Sequence, residues 1–300
     1  MGHAFAANLM SDGYEVMVYD LNRERVTELE EDGARAASRL ADLADCDIVL
    51  TSLPNDAVLS AVALPPDGLA TILARDAVHV STSTVSPELS RQMGEAHRAR
   101  GQGYVAAPVL GNPDLARARG LFILAAGAPA ALDAARPVLQ RLGQKFFVIS
   151  DDPGQANLMK LAGNVLTATT LQAMAEVLAL LRKGGIDQRV AFEVLTNSLF
   201  DAKVHRTYGG KIAEERYRPA GMVVPLAVKD LRLALAEAER AAVPMPTASL
   251  VRDRLVSLVA AGAADLDWSA LGWLEARDAG LATALPEGRA ADDRKNSTRG

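Results

Sequence analysis

The chain is poor in aromatic residues and in cysteine. Phe, Trp and Tyr make up 4% of its 300 residues, and Cys46 is the single cysteine. One cysteine excludes an internal disulfide framework and is typical of a reducing compartment. We interpret Cys46 as a small buried side chain near a strand. The sequence also lacks a secretory signal pattern and a run of 18 apolar residues, which predicts a cytoplasmic protein with no membrane partner.

The chain has no dense basic stretch. Its 32 Lys and Arg residues are outnumbered by 37 Asp and Glu residues, which leaves a net charge of −5. This balance argues against nucleic acid as a partner. Four histidines are scattered along the sequence without the spacing of metal ligands, so no metal site is predicted.

What the chain does have is a large apolar content, 49% of its residues, enough for one large or two modest domains. Up to about residue 150, short apolar runs alternate with amphipathic segments, and this alternation predicts βαβ units with a mainly parallel sheet. Several runs are apolar throughout, as expected when both faces of the sheet are covered. The predicted strands lie in residues 14–20, 46–54, 77–84, 103–109, 121–127 and 145–150.

The pattern changes after Asp152. No proline occurs from Gly154 to Arg218, and Leu and Ala recur with helical spacing, so an all-α second domain is expected. Residues 154–185 predict one long helix of roughly 28 residues that ends at Gly184-Gly185. Further helices are predicted at 187–197, 225–242, 246–261 and 268–279. The predicted domains are 1–152 and 153–285, followed by a disordered polar tail, 286–300.

Gly2 stands before an Ala-rich helical segment, and Asp20 closes the next strand 18 residues later. This is the spacing of the last glycine of a dinucleotide-binding turn and an acidic residue that accepts hydrogen bonds from the adenosine ribose. A helix start and a strand-ending turn explain the same residues equally well.

Ser83 and Thr84 follow a predicted strand and precede Ser86-Pro87, a helix start with proline at its first position. Either the segment only caps a helix, or its hydroxyl groups lie at the carboxyl edge of the sheet, where ligands bind in this architecture.

Lys160 and Asn164 share one face of the long predicted helix because they are four residues apart. Most of their neighbours are apolar. Lys160 is therefore either a surface lysine with a buried stem or a buried lysine that exchanges protons near neutral pH. Lys229-Asp230 begins another amphipathic run, which could simply be a solvated helix start.

Together, four motifs in this order resemble the β-hydroxyacid dehydrogenase family, which includes 3-hydroxyisobutyrate dehydrogenase, tartronate semialdehyde reductase and glyoxylate reductase. The resemblance runs from residue 1 to about 280. The motifs are MGHAFAANLMSDGYEVMVYD (1–20), STVSP (83–87), GQANLMKLAGN (154–164) and KDL (229–231).

The resemblance implies an α/β Rossmann-like parallel-sheet domain, an all-α domain and a long interdomain helix. It implies an NAD(P)-dependent dehydrogenase or reductase acting on CH–OH, similar to 6-phosphogluconate dehydrogenase in its fold, that assembles as a homodimer or homotetramer. Lys160 would be the general acid/base, and Asn164 would hold the substrate or orient the lysine. The other implied site residues are Ser83, Leu110, Gly111 and Asn112 for a small-molecule substrate, and Gly2, Asp20, Leu53, Pro54, Thr84 and Lys229 for the cofactor.

The sequence departs from the family pattern in its substrate loop. The family's loop reads APVSGG, whereas this chain has APVLGNP (107–113), with Leu110 in place of the serine and Pro113 without an N–H. This departure favours a larger or less polar carbonyl substrate over a small hydroxy acid. An imine or amine oxidoreductase on the same scaffold is an alternative, although related imine reductases usually lack the lysine that this chain keeps.

The second departure is at the N-terminus, where the family's first strand and the first two glycines of its turn are missing, so that the chain looks N-terminally shortened. About ten upstream residues would supply them. Either the true start lies upstream of Met1, or the chain is a catalytically impaired paralogue that binds its cofactor poorly. Asp20 favours NAD over NADP because a carboxylate repels a 2′-phosphate, but Arg23 and Arg25 could pair with that phosphate.

Overall fold

The computed structural model describes residues 1–281 and 284–286. It divides the chain into two compact units, Met1–Gly163 and the part that begins at Asn164. Of the predicted disordered tail, residues 287–300 lie outside the described residues. The predicted boundary at residues 152 and 153 stays a prediction.

The first unit contains all the named strands of the described residues. They are β1 (Met17–Val18), β2 (Arg35–Ala36), β3 (Ile48–Thr51), β4 (Val78–Ser81), β5 (Gly103–Ala106), β6 (Val109–Leu110), β7 (Leu121–Gly127) and β8 (Gly143–Ser150). Each of the six predicted strand regions overlaps at least one of these strands, whereas β2 lies outside all six and was not predicted.

The strands form two sheets. β1 and β2 pair in parallel as a two-stranded sheet of their own. The other six form a sheet of order β3-β4-β5-β7-β6, with β8 paired to β7. β3, β4 and β5 are mutually parallel, whereas β7 is antiparallel to β5. The sheet is thus mixed, and the link from β5 to β7 contains strand β6 and a helix of only five residues.

Helices cover both faces of the six-stranded sheet. Val78 and Val80 point to a core shared with the first and seventh helices, while Val49 and Ala126 belong to the opposite core, with the third and fifth. The seven helices are α1 (Gly2–Ser11), α2 (Arg23–Glu31), α3 (Asp56–Ala63), α4 (Leu69–Ile72), α5 (Pro87–Arg98), α6 (Pro113–Arg117) and α7 (Pro129–Leu139). The predicted Rossmann-like class is confirmed.

Helix α8 (Pro153–Lys183) has 31 residues, close to the predicted length, and the division between the units falls inside it. It ends where predicted, with Gly185 at φ +85°, a conformation that favours glycine. By length and composition α8 could cross a membrane, but half of its most apolar window is buried. It supplies Ala156, Leu171 and Leu178 to hydrophobic cores.

The second unit is helical, as predicted. Its core gathers around Trp268 and the buried faces of its helices. The helices after α8 are α9 (Gln188–Thr196), α10 (Gly210–Ala213), α11 (Val224–Arg240), α12 (Pro246–Ala260) and α13 (Leu271–Asp278), with a π-helical turn at His205–Gly209 and a 3₁₀ turn at Trp268–Ala270.

A chain of side-chain hydrogen bonds joins strands β3 and β4 to helix α5 and to two loops of the first unit. Gln102 donates its side-chain N–H to the Leu73 carbonyl at 2.7 Å, so its oxygen accepts from His97 Nδ1 at 2.7 Å. His97 Nε2 then accepts from His79 Nδ1 at 2.8 Å, and His79 Nε2 accepts from the Thr51 hydroxyl at 2.9 Å. Both imidazoles are fully buried. This order of donors is consistent when both rings are neutral.

Candidate active site

The loops that follow β3 and β4 meet at the carboxyl edge of the sheet. The Leu53 N–H donates to the Ser83 hydroxyl at 2.8 Å, and the Thr82 hydroxyl donates to the Thr51 carbonyl at 2.9 Å. Ser83 is 3% exposed. The strand register places these loops side by side because Thr51 pairs with Ser81. The structure thus brings together Leu53 and Ser83, which the sequence placed 30 residues apart.

Gly2 begins α1 beside this edge. A Cβ atom built on Gly2 would lie 3.6 Å from the Ser52 Cβ, an ordinary contact distance. The N-terminus of a helix attracts anionic groups such as a pyrophosphate. The structure therefore places the start of α1 next to the loop that follows β3.

Asp20 follows β1 and accepts a hydrogen bond from the Asn22 N–H at 2.8 Å. Its carboxylate lies 3.8 Å from the Arg25 guanidinium, and both side chains are largely exposed. An exposed pair at that distance contributes little to stability. The Asp20 carboxylate is therefore accessible at the end of its strand, as an adenosine ribose would require.

Asn157 was missed by the sequence analysis, although it lies one turn before Lys160 on α8. Its side-chain oxygen accepts from the Val85 N–H at 3.2 Å, and its Nδ2 donates to the Ser90 hydroxyl at 2.7 Å. Asn157 is fully buried. It therefore ties the segment that holds Ser83 and Thr84 to the start of α8. The one feature of the sequence that could have indicated this role is the polar Asn157 next to apolar residues in GQANLMKL.

The segment 110–112 forms the end of β6 and the entry to α6. Leu110 pairs with Phe122 of β7, and Gly111 has φ +143°, which favours glycine. The Asn112 side chain accepts from the Leu115 N–H at 2.9 Å and caps α6. The Leu110 side chain lies against α8 at Gly163.

Lys160 is 8% exposed in the structure. Of the two alternatives that the sequence left open, the buried lysine is the one observed. The neighbouring Leu161 is fully buried, whereas Leu158 and Met159 are exposed.

In the second unit, two polar side chains contact the carboxylate of Asp230. Asn164 Nδ2 donates to Asp230 Oδ2 at 2.5 Å, and Lys229 Nζ lies 2.8 Å from Asp230 Oδ1. Asp230 is only 3% exposed. The sequence analysis allowed Lys229-Asp230 to be a solvated helix start. The burial of Asp230 excludes that explanation for Asp230. Its role as the shared partner of Asn164 and Lys229 was missed.

Within residues 1–281 and 284–286, no three His, Cys, Asp or Glu side chains gather in a group that could hold a metal ion. The polar groups at the edge of the sheet are instead hydroxyl groups, backbone N–H groups and the end of a helix. These groups fit a dinucleotide, whose phosphates and ribose hydroxyls need hydrogen-bond donors and one acidic acceptor.

Comparison with known protein families assigns both parts of the chain. Residues 1–150 match the NAD-binding domain of 6-phosphogluconate dehydrogenase, and residues 154–273 match the NAD-binding domain of NADP-dependent 3-hydroxyisobutyrate dehydrogenase. The chain belongs to the β-hydroxyacid dehydrogenase family. It is thus an NAD(P)-dependent oxidoreductase, and the predicted family, cofactor class and type of enzyme, a dehydrogenase or reductase, are confirmed.

Two relatives match 90% of the chain. An uncharacterized oxidoreductase of Bacillus subtilis is 38% identical over 273 residues, which are 90% of this chain and 95% of that protein. A 3-hydroxyisobutyrate dehydrogenase of Pseudomonas aeruginosa is 33% identical over 290 residues, 90% of this chain and 94% of the relative.

Solved structures agree with this assignment. A 3-hydroxyisobutyrate dehydrogenase from Salmonella typhimurium has a TM-score of 0.83 and 26% identity, with 91% of this chain and 95% of that chain covered. An imine reductase from Pseudomonas sp. has a TM-score of 0.59 and 21% identity, with 90% and 94% covered. This second likeness shows the fold alone.

Proposed function

We propose that the chain transfers hydride between a nicotinamide cofactor and the carbonyl or alcohol carbon of a small substrate, with Lys160 as the general acid/base. The substrate is a 3-hydroxyacid or its semialdehyde, or a less polar carbonyl compound. The observation that carries the proposal is the buried position of Lys160, at 8% exposure, on the helix that the family pattern marks as catalytic.

When bound, the nicotinamide cofactor supplies or accepts the hydride. In the direction of reduction, Lys160 Nζ donates a proton to the substrate oxygen as the carbonyl carbon becomes a CH–OH carbon, and in oxidation Nζ takes that proton back. Asn164, one turn further along α8, holds the substrate or orients the lysine. Its side-chain N–H donates to the Asp230 carboxylate, which fixes the orientation of the amide.

The cofactor residues are the six that the family pattern marks, and the geometry of the first unit supports five of them. Gly2 begins a ten-residue helix, Asp20 has an accessible carboxylate, and the Leu53 N–H binds the Ser83 hydroxyl beside Pro54 and Thr84. In the second unit, Lys229 is oriented by Asp230. We propose NAD as the preferred cofactor because the Asp20 carboxylate would repel a 2′-phosphate.

We also propose that the enzyme is a cytoplasmic homodimer or homotetramer. Large apolar side chains are exposed on the helices around the second unit, including Leu166 and Leu180, each 70% exposed, and Val190 at 53%. Such side chains are typical of a surface that another copy covers. Size-exclusion chromatography with light scattering tests the oligomeric state, and a monomer at micromolar concentration would contradict it.

A substrate panel tests the proposed reaction. Carbonyl and imine compounds are offered with NADH and with NADPH to the wild type, to Lys160→Ala and to Lys145→Ala, an exposed lysine of the same unit. We expect carbonyl reduction by the wild type and by Lys145→Ala. For Lys160→Ala we expect kcat to fall by about 10²- to 10⁴-fold, the usual contribution of a general acid or base.

Cofactor binding by fluorescence titration accompanies the panel. Lys160→Ala is expected to bind the cofactor as the wild type does, which separates a chemical role from misfolding. Full activity of Lys160→Ala would refute the general acid/base role. Turnover of imines alone would identify an imine oxidoreductase, and absence of cofactor binding by the wild type would identify an impaired paralogue.

A further inference from the structure

Helix α5 packs its first two turns against the start of α8, and a glycine on each helix lets them come close together. A Cβ atom built on Gly154 would lie 2.8 Å from the Pro87 carbonyl oxygen, closer than real Cβ atoms come to such a neighbour. A Cβ atom built on Gly94 would lie 3.2 Å from Pro153 Cγ, which is a tight contact. An alanine at Gly154 would push the helices apart, because a backbone carbonyl cannot turn aside as a flexible side chain can.

The carboxylate of Asp152 joins the two helices at this point. Arg91 Nε of α5 lies 3.2 Å from its Oδ1 and 3.0 Å from its Oδ2. The same Oδ1 accepts the Gly154 N–H at 2.9 Å, in the first turn of α8. Both charged side chains are half-buried. One carboxylate therefore holds Arg91 and the start of α8 together.

The face of α8 that meets α5 leads to Lys160. Gly154, Asn157 and Lys160 are spaced by three residues, so each is the neighbour of the next on the helix surface. Asn157 is fully buried and donates to the Ser90 hydroxyl of α5 at 2.7 Å. Lys160 therefore lies one turn beyond a contact that fixes α8 on α5.

The start of α5 is fixed in turn, two residues after Thr84. The Ser86 N–H and hydroxyl both donate to the Asp56 carboxylate, at 3.1 Å and 2.5 Å. The Ser86 oxygen accepts from the Leu89 N–H at 3.2 Å and caps α5. Because Thr84 adjoins the start of α5, a shift of α8 on α5 changes the placement of Lys160 relative to Thr84.

We propose that Arg91 is a positioning residue for the reaction. Through Asp152 it fixes the start of α8 on α5, and it thereby sets the placement of Lys160 relative to Thr84. The inference rests on the proposed function, in which Thr84 binds the cofactor and Lys160 exchanges a proton with the substrate. A misplacement of reacting groups by about 1 Å lowers a rate by about 100-fold, so the role of Arg91 is expected to appear in kcat.

The kinetic test compares Arg91→Ala, Arg91→Lys and Asp152→Asn with the wild type, using NADH and a carbonyl substrate from the panel. For Arg91→Ala we expect kcat to fall about 10- to 100-fold. The KM for NADH is expected to change less than about twofold, because the change alters the reacting geometry and removes no cofactor ligand. Arg91→Lys keeps a charged donor and is expected to retain more of kcat than Arg91→Ala.

Asp152→Asn separates the ion pair from the helix cap. The asparagine oxygen still accepts the Gly154 N–H, whereas the charge that holds Arg91 is lost. Since Arg91 and Asp152 are partners in one contact, the effects of Arg91→Ala and Asp152→Asn on kcat are expected to be non-additive in the double variant. Circular dichroism confirms that each variant is folded at the assay temperature.

Glu88→Gln is the matched control. The Glu88 carboxylate lies 3.9 Å from Arg91 on the exposed side of α5, so this variant removes an ionic partner of Arg91 and leaves Asp152 in place. It is expected to keep the wild-type kcat. Hydrogen exchange follows the packing without any turnover: the amides of residues 152–160 are expected to exchange at least about tenfold faster in Arg91→Ala than in the wild type or in Glu88→Gln.

The outcomes separate this inference from the proposed function. Faster exchange in Arg91→Ala with an unchanged kcat would show that Arg91 only stabilises the packing of the helices. An unchanged exchange rate, or a fall in kcat that Glu88→Gln reproduces, also overturns the positioning role, and in each of these cases the oxidoreductase function stands. Absence of carbonyl turnover by a cofactor-bound wild type overturns the proposed function and the role of Arg91 with it.

Discussion

The amide of Asn164 donates to the carboxylate of Asp230 at 2.5 Å, and the other oxygen of the same carboxylate lies 2.8 Å from the Lys229 ammonium. Asp230 is buried, so bulk water does not compete with Asn164 or Lys229 for hydrogen bonds to its carboxylate. One carboxylate therefore orients a proposed substrate ligand and a proposed cofactor ligand together. We regard Asp230 as a positioning residue.

We predict that Asp230→Asn keeps the fold but lowers kcat about 10- to 100-fold and weakens cofactor binding. The isosteric amide removes the charge that orients Lys229, and hydrogen bonds to charged groups contribute about 1.5–3 kcal/mol. Steady-state kinetics and cofactor titration measure the two effects separately. Asp253→Asn, an exposed carboxylate on α12, is the control. An Asp230→Asn enzyme with wild-type kinetics would show that the cluster serves stability alone.

Asn157→Ala is predicted to raise the KM for the cofactor and to lower the free energy of unfolding by about 1–3 kcal/mol. The substitution leaves the Val85 N–H without its acceptor next to Thr84, and an unsatisfied buried group costs about that much. Ser90→Ala removes only the second bond of Asn157, so its effect on KM is expected to be smaller. Gln155→Ala, exposed on the same helix, is the control. Equal KM values for all three variants would contradict the proposed support of Thr84.

Asp20→Ser is predicted to shift the cofactor preference toward NADPH by about tenfold to a hundredfold in the ratio of kcat/KM values. The change removes the acceptor for the ribose hydroxyls and releases Arg25 to pair with a 2′-phosphate. The measurement is the kcat/KM ratio for the two cofactors, with the exposed Asp32→Ser as the control. A wild type that already prefers NADPH would refute the proposed choice of NAD.

The buried histidine pair predicts a loss of stability in mild acid. Burial lowers the pKa of His79 well below its ordinary 6.5, with a further contribution from His97, and burial also lowers the pKa of His97. Both rings are therefore neutral in the folded protein but gain protons in the unfolded chain below about pH 6.5. Their contribution to stability is complete above that pH and is lost as the pH falls.

We expect the free energy of unfolding to decrease below pH 6.5 by about 1.4 kcal/mol per pH unit for each histidine that takes up a proton on unfolding. Urea titrations between pH 5 and 8 measure the slope. His3→Gln, at an exposed histidine, is expected to retain the decrease because it leaves the buried chain intact. A stability that stays constant between pH 7 and 5.5 would contradict neutral buried rings.

Much of this structure follows from local patterns in the sequence. β-branched apolar runs locate the strands around Val49 and Val80, and side-chain caps such as Ser86 locate helix starts. Two glycines end α8 as predicted. Lys160 and Asn164 were proposed as site residues because their spacing and their apolar neighbours combine with a family pattern, and their roles stay predictions.

Other features depend on contacts between distant parts of the chain, which no local pattern reports. Asp230 bonds to Asn164 across 66 residues, and Asn157 bonds to Val85 across 72. β7 runs antiparallel to β5, and the two strands are connected through α6. α6 has only five residues, so no helical periodicity in the sequence predicts it. α3 was also missed: it begins just after the predicted strand at 46–54, and its cap, Asn55, was not recognised.

The separate pairing of β1 with β2 has a consequence for local opening. Only two residues of each strand form this ladder, while the neighbouring sheet has six strands. Such a short ladder opens at a lower free energy than a core sheet, and amide hydrogens such as those of Arg35 and Ala37 should exchange with solvent early. If the adenosine end of the cofactor binds at Asp20 as we propose, cofactor binding is expected to slow this exchange, because Asp20 follows β1.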